Sequence, residues 1–134
     1  AVDGSASNDG SSMLEELRVC YLLHRLTSSA AAPSGYQVLK MATRGSARLL
    51  GRDDIGQLSV GKCADLFLID SRHLEFVGSC FDAGSVLGTV GVRGPVDYTV
   101  VHGKVTVRHG RLVTVDEDRV AREANEKCRA YLNM

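Results

Sequence analysis

The residues best suited to chemistry open the chain: Val2-Asp3-Gly4-Ser5-Ala6-Ser7-Asn8-Asp9. An apolar residue leads into a carboxylate, a glycine follows at once, and a small polar loop runs on into a strongly periodic stretch. This is the pattern by which the C-terminal end of a barrel strand delivers one acidic side chain to a site. A carboxylate so placed is suited to act in an active site. Ser5, Ser7 and Asn8 add groups that hydrogen-bond a substrate, or that only shape the loop and cap the next helix. For an isolated Asp-Gly the commoner outcome is an Asx-turn through Gly4 and Ser5. Only Ala1 precedes Val2, so the chain is expected to begin in the middle of a fold.

Other titratable residues read as structural. Asp65, just before an apolar run, is expected at a turn or the start of a strand, and Lys62 in the turn before it. His24, His73, His102 and His109 form no His-x-His pair and are expected at the surface or in the core rather than on a metal. Cys20, Cys63, Cys80 and Cys128 are scattered with no Cys-x-x-Cys, which favours buried or half-buried free thiols in a reducing cytoplasm over disulfides or zinc ligation.

Composition bounds the partners. The 134 residues suffice for one domain with a core, and 16 basic residues balance 16 acidic ones. No net field draws nucleic acid or an anionic membrane. The apolar stretches are too short to span a bilayer and no signal peptide opens the chain, so a soluble cytoplasmic protein is expected.

The elements that must position these groups follow from periodicity. Ser12 and Glu15 have capping-box form ahead of Met13, Leu14, Leu17, Cys20, Tyr21 and His24, which predicts a helix over residues 13–26. A loop over 27–33 leads to a second capping box, Ser34 with Gln37. A helix through Val38, Leu39, Met41 and Ala42 is expected to stop at Gly45, with a helical turn over 47–50 ending at Gly51. Residues 55–58 and 64–70 read as strands, the apolar run 66–69 as one covered on both faces. Residues 71–96 read as irregular with one helical turn over 83–87. Residues 98–101, 105–107 and 112–115 form a meander turning at His102-Gly103 and His109-Gly110. Asp116 caps a last helix bearing Val120, Ala124, Cys128, Tyr131 and Leu132 on one face. Helices, then strands, then one helix do not make a self-contained layered domain.

Four segments in this order resemble the C-terminal part of an amidohydrolase-superfamily metal-dependent hydrolase. They are Val2 to Asp9; Met41-Ala42-Thr43-Arg44-Gly45-Ser46-Ala47-Arg48-Leu49-Leu50-Gly51; Ile55-Gly56-Gln57-Leu58-Ser59-Val60-Gly61-Lys62-Cys63-Ala64-Asp65-Leu66; and Val100-Val101-His102-Gly103-Lys104-Val105-Thr106-Val107-Arg108-His109-Gly110. The branch is similar to guanine deaminases and triazine hydrolases. The wording of residues 2–9, together with Asp53-Asp54-Ile55-Gly56, is most similar to 8-oxoguanine deaminases. Two departures stand out: the His-x-His pair of the family is absent, and Ser79-Cys80-Phe81-Asp82-Ala83-Gly84 replaces the usual His-Asp-Pro segment. The lack of a Pro-Cys-x-x-Cys signature argues against the cytidine-type zinc deaminases.

The resemblance implies an α/β fold, the C-terminal fragment of a (β/α)8 TIM-type barrel plus part of a small β-sandwich domain with a closing helix. Residues 1–51 would end the barrel, and residues 52–134 would belong to the small domain. It implies one divalent ion, zinc or else iron, beside Asp3 in the full-length enzyme, and none held tightly by this chain alone. Asp3 would be both weak metal ligand and proton shuttle, with Ser5 and Asn8 as candidate substrate contacts. The implied reaction is hydrolysis of a C–N bond other than a peptide bond, deaminating a purine-like heterocycle such as 8-oxoguanine, with water as co-substrate. The alternatives are a triazine chlorohydrolase or aminohydrolase, and a freestanding β-rich interaction module. A missing N-terminal barrel portion and a further copy of the chain in a homo-oligomer are the implied partners, and the chain alone is expected to be inactive.

Overall fold

The computed structural model describes residues 2–4 and 10–133. The chain forms two compact units, one of Ala1–Cys63 with Asp70–Gly94, the other of Ala64–Ile69 with Pro95–Met134. The sequence-based division at 51/52 differs from this grouping: residues 52–63 and 70–94 pack with the helices that precede them.

The first unit opens with helix α1, Met13–Ser28. The Glu15 amide donates to Ser12 Oγ at 3.3 Å, as the capping pattern predicts. Glu15 and Glu16 in the first turn and Arg25 in the last complement the helix dipole. The helix outruns its predicted end at residue 26. The Thr27 hydroxyl bonds back to the Leu23 carbonyl at 3.2 Å, so a residue assigned to the loop is absorbed into the last turn. A 3-10 turn, Ser29–Ala31, follows.

Helix α2, Gly35–Lys40, carries the full capping box. The Gln37 amide donates to Ser34 Oγ at 3.2 Å, and the Ser34 amide donates to Gln37 Oε1 at 2.7 Å. Gly45 does not stop the helix. Its φ of −63° is helical, and the chain passes through a π turn, Met41–Gly45, into α3, Ser46–Leu49. A glycine adopts either hand, and here the Thr43 hydroxyl, bonded to the Leu39 carbonyl at 2.8 Å, supports continuation. The stop comes at Gly51 with φ +66°, where the Arg52 amide reaches back to the Ala47 carbonyl at 2.9 Å in a Schellman-type closure.

The predicted strand at 55–58 does not form. Gly56 has φ +83°, and its backbone presses onto α3: a Cβ there would lie 2.9 Å from the Thr43 oxygen and 3.0 Å from Ala47 Cβ. Close docking of backbone on helix replaces strand pairing. Gly56→Ala should therefore cost about 2 kcal/mol or more, combining left-handed strain with overpacking. The check is the urea midpoint at unchanged slope; a midpoint equal to that of the parent protein would remove this account of the motif.

Residues 71–96 hold 3-10 turns at Leu74–Phe76 and Cys80–Asp82 and a short helix α4, Val86–Thr89. The Arg18 guanidinium donates to the Gly88 and Thr89 carbonyls at the end of α4, and the Tyr36 amide donates to Ser85 Oγ at 3.2 Å. These bonds tie α1 and α2 to one turn. Among the described residues of this unit, Leu17, Val38, Ala47, Phe76 and Val92 are the buried apolar side chains.

The second unit is an antiparallel sheet of β1 (Leu66–Leu68), β2 (Tyr98–Val101), β3 (Lys104–Arg108) and β4 (Arg111–Leu112), in that spatial order. Leu66 faces Val100 and Leu68 faces Tyr98. The meander and both turns match expectation. His102 and Gly103 have φ of 49° and 75°, His109 and Gly110 50° and 75°, the paired positive values of a type I′ hairpin.

Two strands are shorter than predicted. Ala64 and Asp65 leave the ladder to brace a turn: the Ala64 carbonyl accepts the Gly103 amide at 3.1 Å, and Asp65 Oδ1 accepts the His102 amide at 2.7 Å. The Leu112 amide donates to Glu117 Oε1 at 2.7 Å, and the Val113 amide still reaches the Thr106 carbonyl at 3.0 Å just past β4. Nor is β1 covered on both faces, since Phe67 is 39% and Leu68 54% exposed. Helix α5, Glu117–Tyr131, begins at Asp116, whose Oδ1 accepts the Arg119 amide at 2.9 Å. None of its residues is buried. The helical first unit and the sheet-plus-helix second unit give the mixed α and β content expected.

Candidate functional site

Asp3 lies on an exposed stretch of backbone with φ +61°. Among non-glycine residues the left-handed region is adopted mainly by Asn and Asp. Its Oδ1 accepts the Gly4 amide at 2.7 Å. That local bond is the turn contact expected of an Asp-Gly pair, and it also fixes one carboxylate oxygen relative to the main chain. Ser5 and Asn8, the two candidate substrate contacts, lie outside the described residues, as does Ser7.

The remaining candidates separate cleanly. Asp65 is a brace for the His102 turn. The Lys62 amide closes the turn it was assigned to by donating to the Ser59 carbonyl at 3.1 Å, while its Nζ donates to the Asp53 carbonyl. His24, His73, His102 and His109 are all exposed. His109 Nε2 lies 3.1 Å from the Tyr98 hydroxyl, the two rings meeting edge to face at 5.1 Å. Among the described residues no group of three or more His, Cys, Asp and Glu side chains converges to hold a metal. All four cysteines are free thiols; Cys20 and Cys63 are half-buried, but Cys80 and Cys128 are exposed, against the expectation of burial.

One cluster escaped the sequence. Arg52 grips Asp54 with two bonds, Nε to Oδ1 at 2.8 Å and a terminal nitrogen to Oδ2 at 2.6 Å, while the Cys63 thiol donates to the same Oδ2 at 3.3 Å. The Arg52 guanidinium first, and then the Cys63 thiol, hold the Asp54 carboxyl well below the usual carboxylate range. Its backbone joins in, the Cys63 amide donating to the Asp54 carbonyl at 2.7 Å. The cluster closes the loop that carries Gly56. An Arg and an Asp two residues apart in a glycine-rich turn were its only sequence signal. Asp70 is likewise held low by Arg72, through side-chain bonds and the Arg72 amide.

A carboxylate is the kind of hard oxygen donor that a divalent ion takes, so Asp3 fits as one ligand of a larger set. No helix among the described residues is long and apolar enough to cross a membrane.

Residues 1–106 match the amidohydrolase family. The chain is 44% identical over 127 residues to hydroxydechloroatrazine ethylaminohydrolase of Pseudomonas sp. strain ADP, covering 92% of this chain and 26% of that protein. It is 54% identical over 78 residues to 8-oxoguanine deaminase of Pseudomonas aeruginosa, covering 58% of this chain and 17% of that one. The crystal structure of atrazine chlorohydrolase from Arthrobacter aurescens TC1, complexed with zinc, superposes with a TM-score of 0.82 at 35% identity, over 92% of this chain and 28% of that chain. The chain thus spans less than a third of the length of these relatives.

Proposed function

Because the chain belongs to the amidohydrolase family, we propose that the whole protein is a metal-dependent aminohydrolase that removes an amino group from a purine-like heterocycle such as 8-oxoguanine. The observation that carries this reading is the 54% identity over 78 residues to an 8-oxoguanine deaminase. In it, residues 1–51 close a (β/α)8 barrel and Asp3 stands at the end of its eighth strand.

Asp3 would be one oxygen donor to a divalent ion, zinc by analogy with the atrazine chlorohydrolase, the other donors lying outside the described residues. When bound, such an ion supplies Lewis acidity, bringing the pKa of water toward neutrality. The rest falls to Asp3. A carboxylate oxygen accepts the proton of the attacking water, holds it while the C–N bond weakens, and delivers it to the departing amine. The Gly4 amide on Oδ1 fixes that oxygen relative to the main chain. Ser5 and Asn8 remain the proposed contacts to the heterocycle.

A second reading, a triazine hydrolase, is favoured by the longer match to hydroxydechloroatrazine ethylaminohydrolase, 44% identical over 92% of this chain. One experiment separates the two. The whole zinc-loaded protein is offered 8-oxoguanine and an N-ethylamino triazine in parallel, with the released amine identified. Ammonia from the purine is the expected result; ethylamine from the triazine alone would establish the second reading. No amine from either would remove both.

A further inference from the structure

We propose that the Asp3–Gly4 bond is a site of covalent self-modification, at which the Gly4 backbone nitrogen closes on the Asp3 side chain to a succinimide that reopens as isoaspartate. The Gly4 amide donates to Asp3 Oδ1 at 2.7 Å, which lays that nitrogen beside the carboxyl carbon. Gly4 has no side chain to obstruct the approach, and a Cβ built on it would meet nothing within 4 Å. Asp3 is itself exposed, so water reaches the ring once formed.

The chemistry balances without any further reactant. A bond forms between Gly4 N and Asp3 Cγ, the bond from Cγ to the carboxyl hydroxyl breaks, and the amide hydrogen leaves with that hydroxyl as one water. Ring opening takes one water back. Opening at the side-chain carbonyl restores aspartate; opening at the main-chain carbonyl leaves the backbone running through Cγ, which is isoaspartate. Nothing is oxidised or reduced.

Other carboxylates face different partners. Asp54 is held by Arg52 at 2.6 Å, Asp65 by the His102 amide at 2.7 Å, and Asp70 by Arg72 at 2.6 Å. These bonds aim each carboxyl at a group other than the amide that directly follows it. Isoaspartate adds a methylene to the main chain and shortens the side chain. It would displace the carboxylate to which proton transfer is assigned above; that consequence rests on the proposed function, whereas the ring closure does not.

The test ages the purified chain at neutral pH and physiological temperature, then maps isoaspartate by peptide fragmentation resolved to single residues. Such resolution separates position 3 from Asp9, which also precedes a glycine. Isoaspartate is expected to accumulate at position 3 ahead of Asp54, Asp65 and Asp70, and that accumulation is expected to be lost in Gly4→Val and in Asp3→Glu. No enrichment at position 3, or equal enrichment in Gly4→Val, would overturn the proposal. Mapping does not read turnover, so either result leaves the aminohydrolase reading to its own experiment.

Discussion

Asp3→Asn in the whole enzyme is expected to lower kcat by about a hundredfold or more, the range in which general acid–base groups contribute. The amide is nearly isosteric with the carboxylate and can keep the Gly4 hydrogen bond at Oδ1, so the loop should hold its shape. What it cannot do is accept a proton at neutral pH. The prediction is therefore asymmetric: kcat collapses, while thermal stability stays close to that of the parent enzyme. Metal content has to be measured alongside, since Asp3 is also a proposed ligand. A variant that keeps its zinc and its turnover would show that Asp3 only forms the turn. One that loses zinc as well as turnover would make ligation its main task.

Local chemistry was legible in the sequence wherever one residue type answers one backbone need. The two His-Gly pairs sit at hairpin turns because both central positions need positive φ, and they adopt it. Ser34 with Gln37, and Asp116, cap the helices they precede, since a helix start leaves amides that short polar side chains satisfy. Illegible were the places where a distant segment decides. Gly45 has the composition of a helix stop, but the chain continues through it and stops at Gly51. Residues 55–58 read as a strand, but Gly56 docks on Thr43 and Ala47 instead. Asp65 and Glu117 each take an amide near a strand end, a choice that depends on a hairpin and a helix elsewhere in the chain. For the site, residue types and order pointed to Asp3, and the described structure gives it one local partner. Among the described residues no group of three or more His, Cys, Asp and Glu side chains converges, so their spacing offered nothing further to read.

The chain on its own is expected to form dimers or larger species at micromolar concentration. Among the described residues the buried apolar side chains are outweighed by large ones left in water: Leu26 is 82%, Leu49 88% and Phe81 98% exposed. Covering one such side chain contributes about 2 kcal/mol. A micromolar complex needs about 8 kcal/mol net, and association first costs roughly 4 kcal/mol or more in lost motion. Some half-dozen to a dozen covered side chains therefore suffice. Strand β1 adds a directional route. Among the described residues it pairs with β2 on one side only, and Leu66, Phe67 and Leu68 include no charge and no proline to discourage a further strand. Sedimentation velocity across a concentration series decides the matter. Apparent mass should rise with concentration, and Phe67→Lys, which places a charge on the β1 edge, should lower it. A concentration-independent monomer that unfolds cooperatively would show that these apolar faces are tolerated in water, and would favour a freestanding module over part of a larger enzyme.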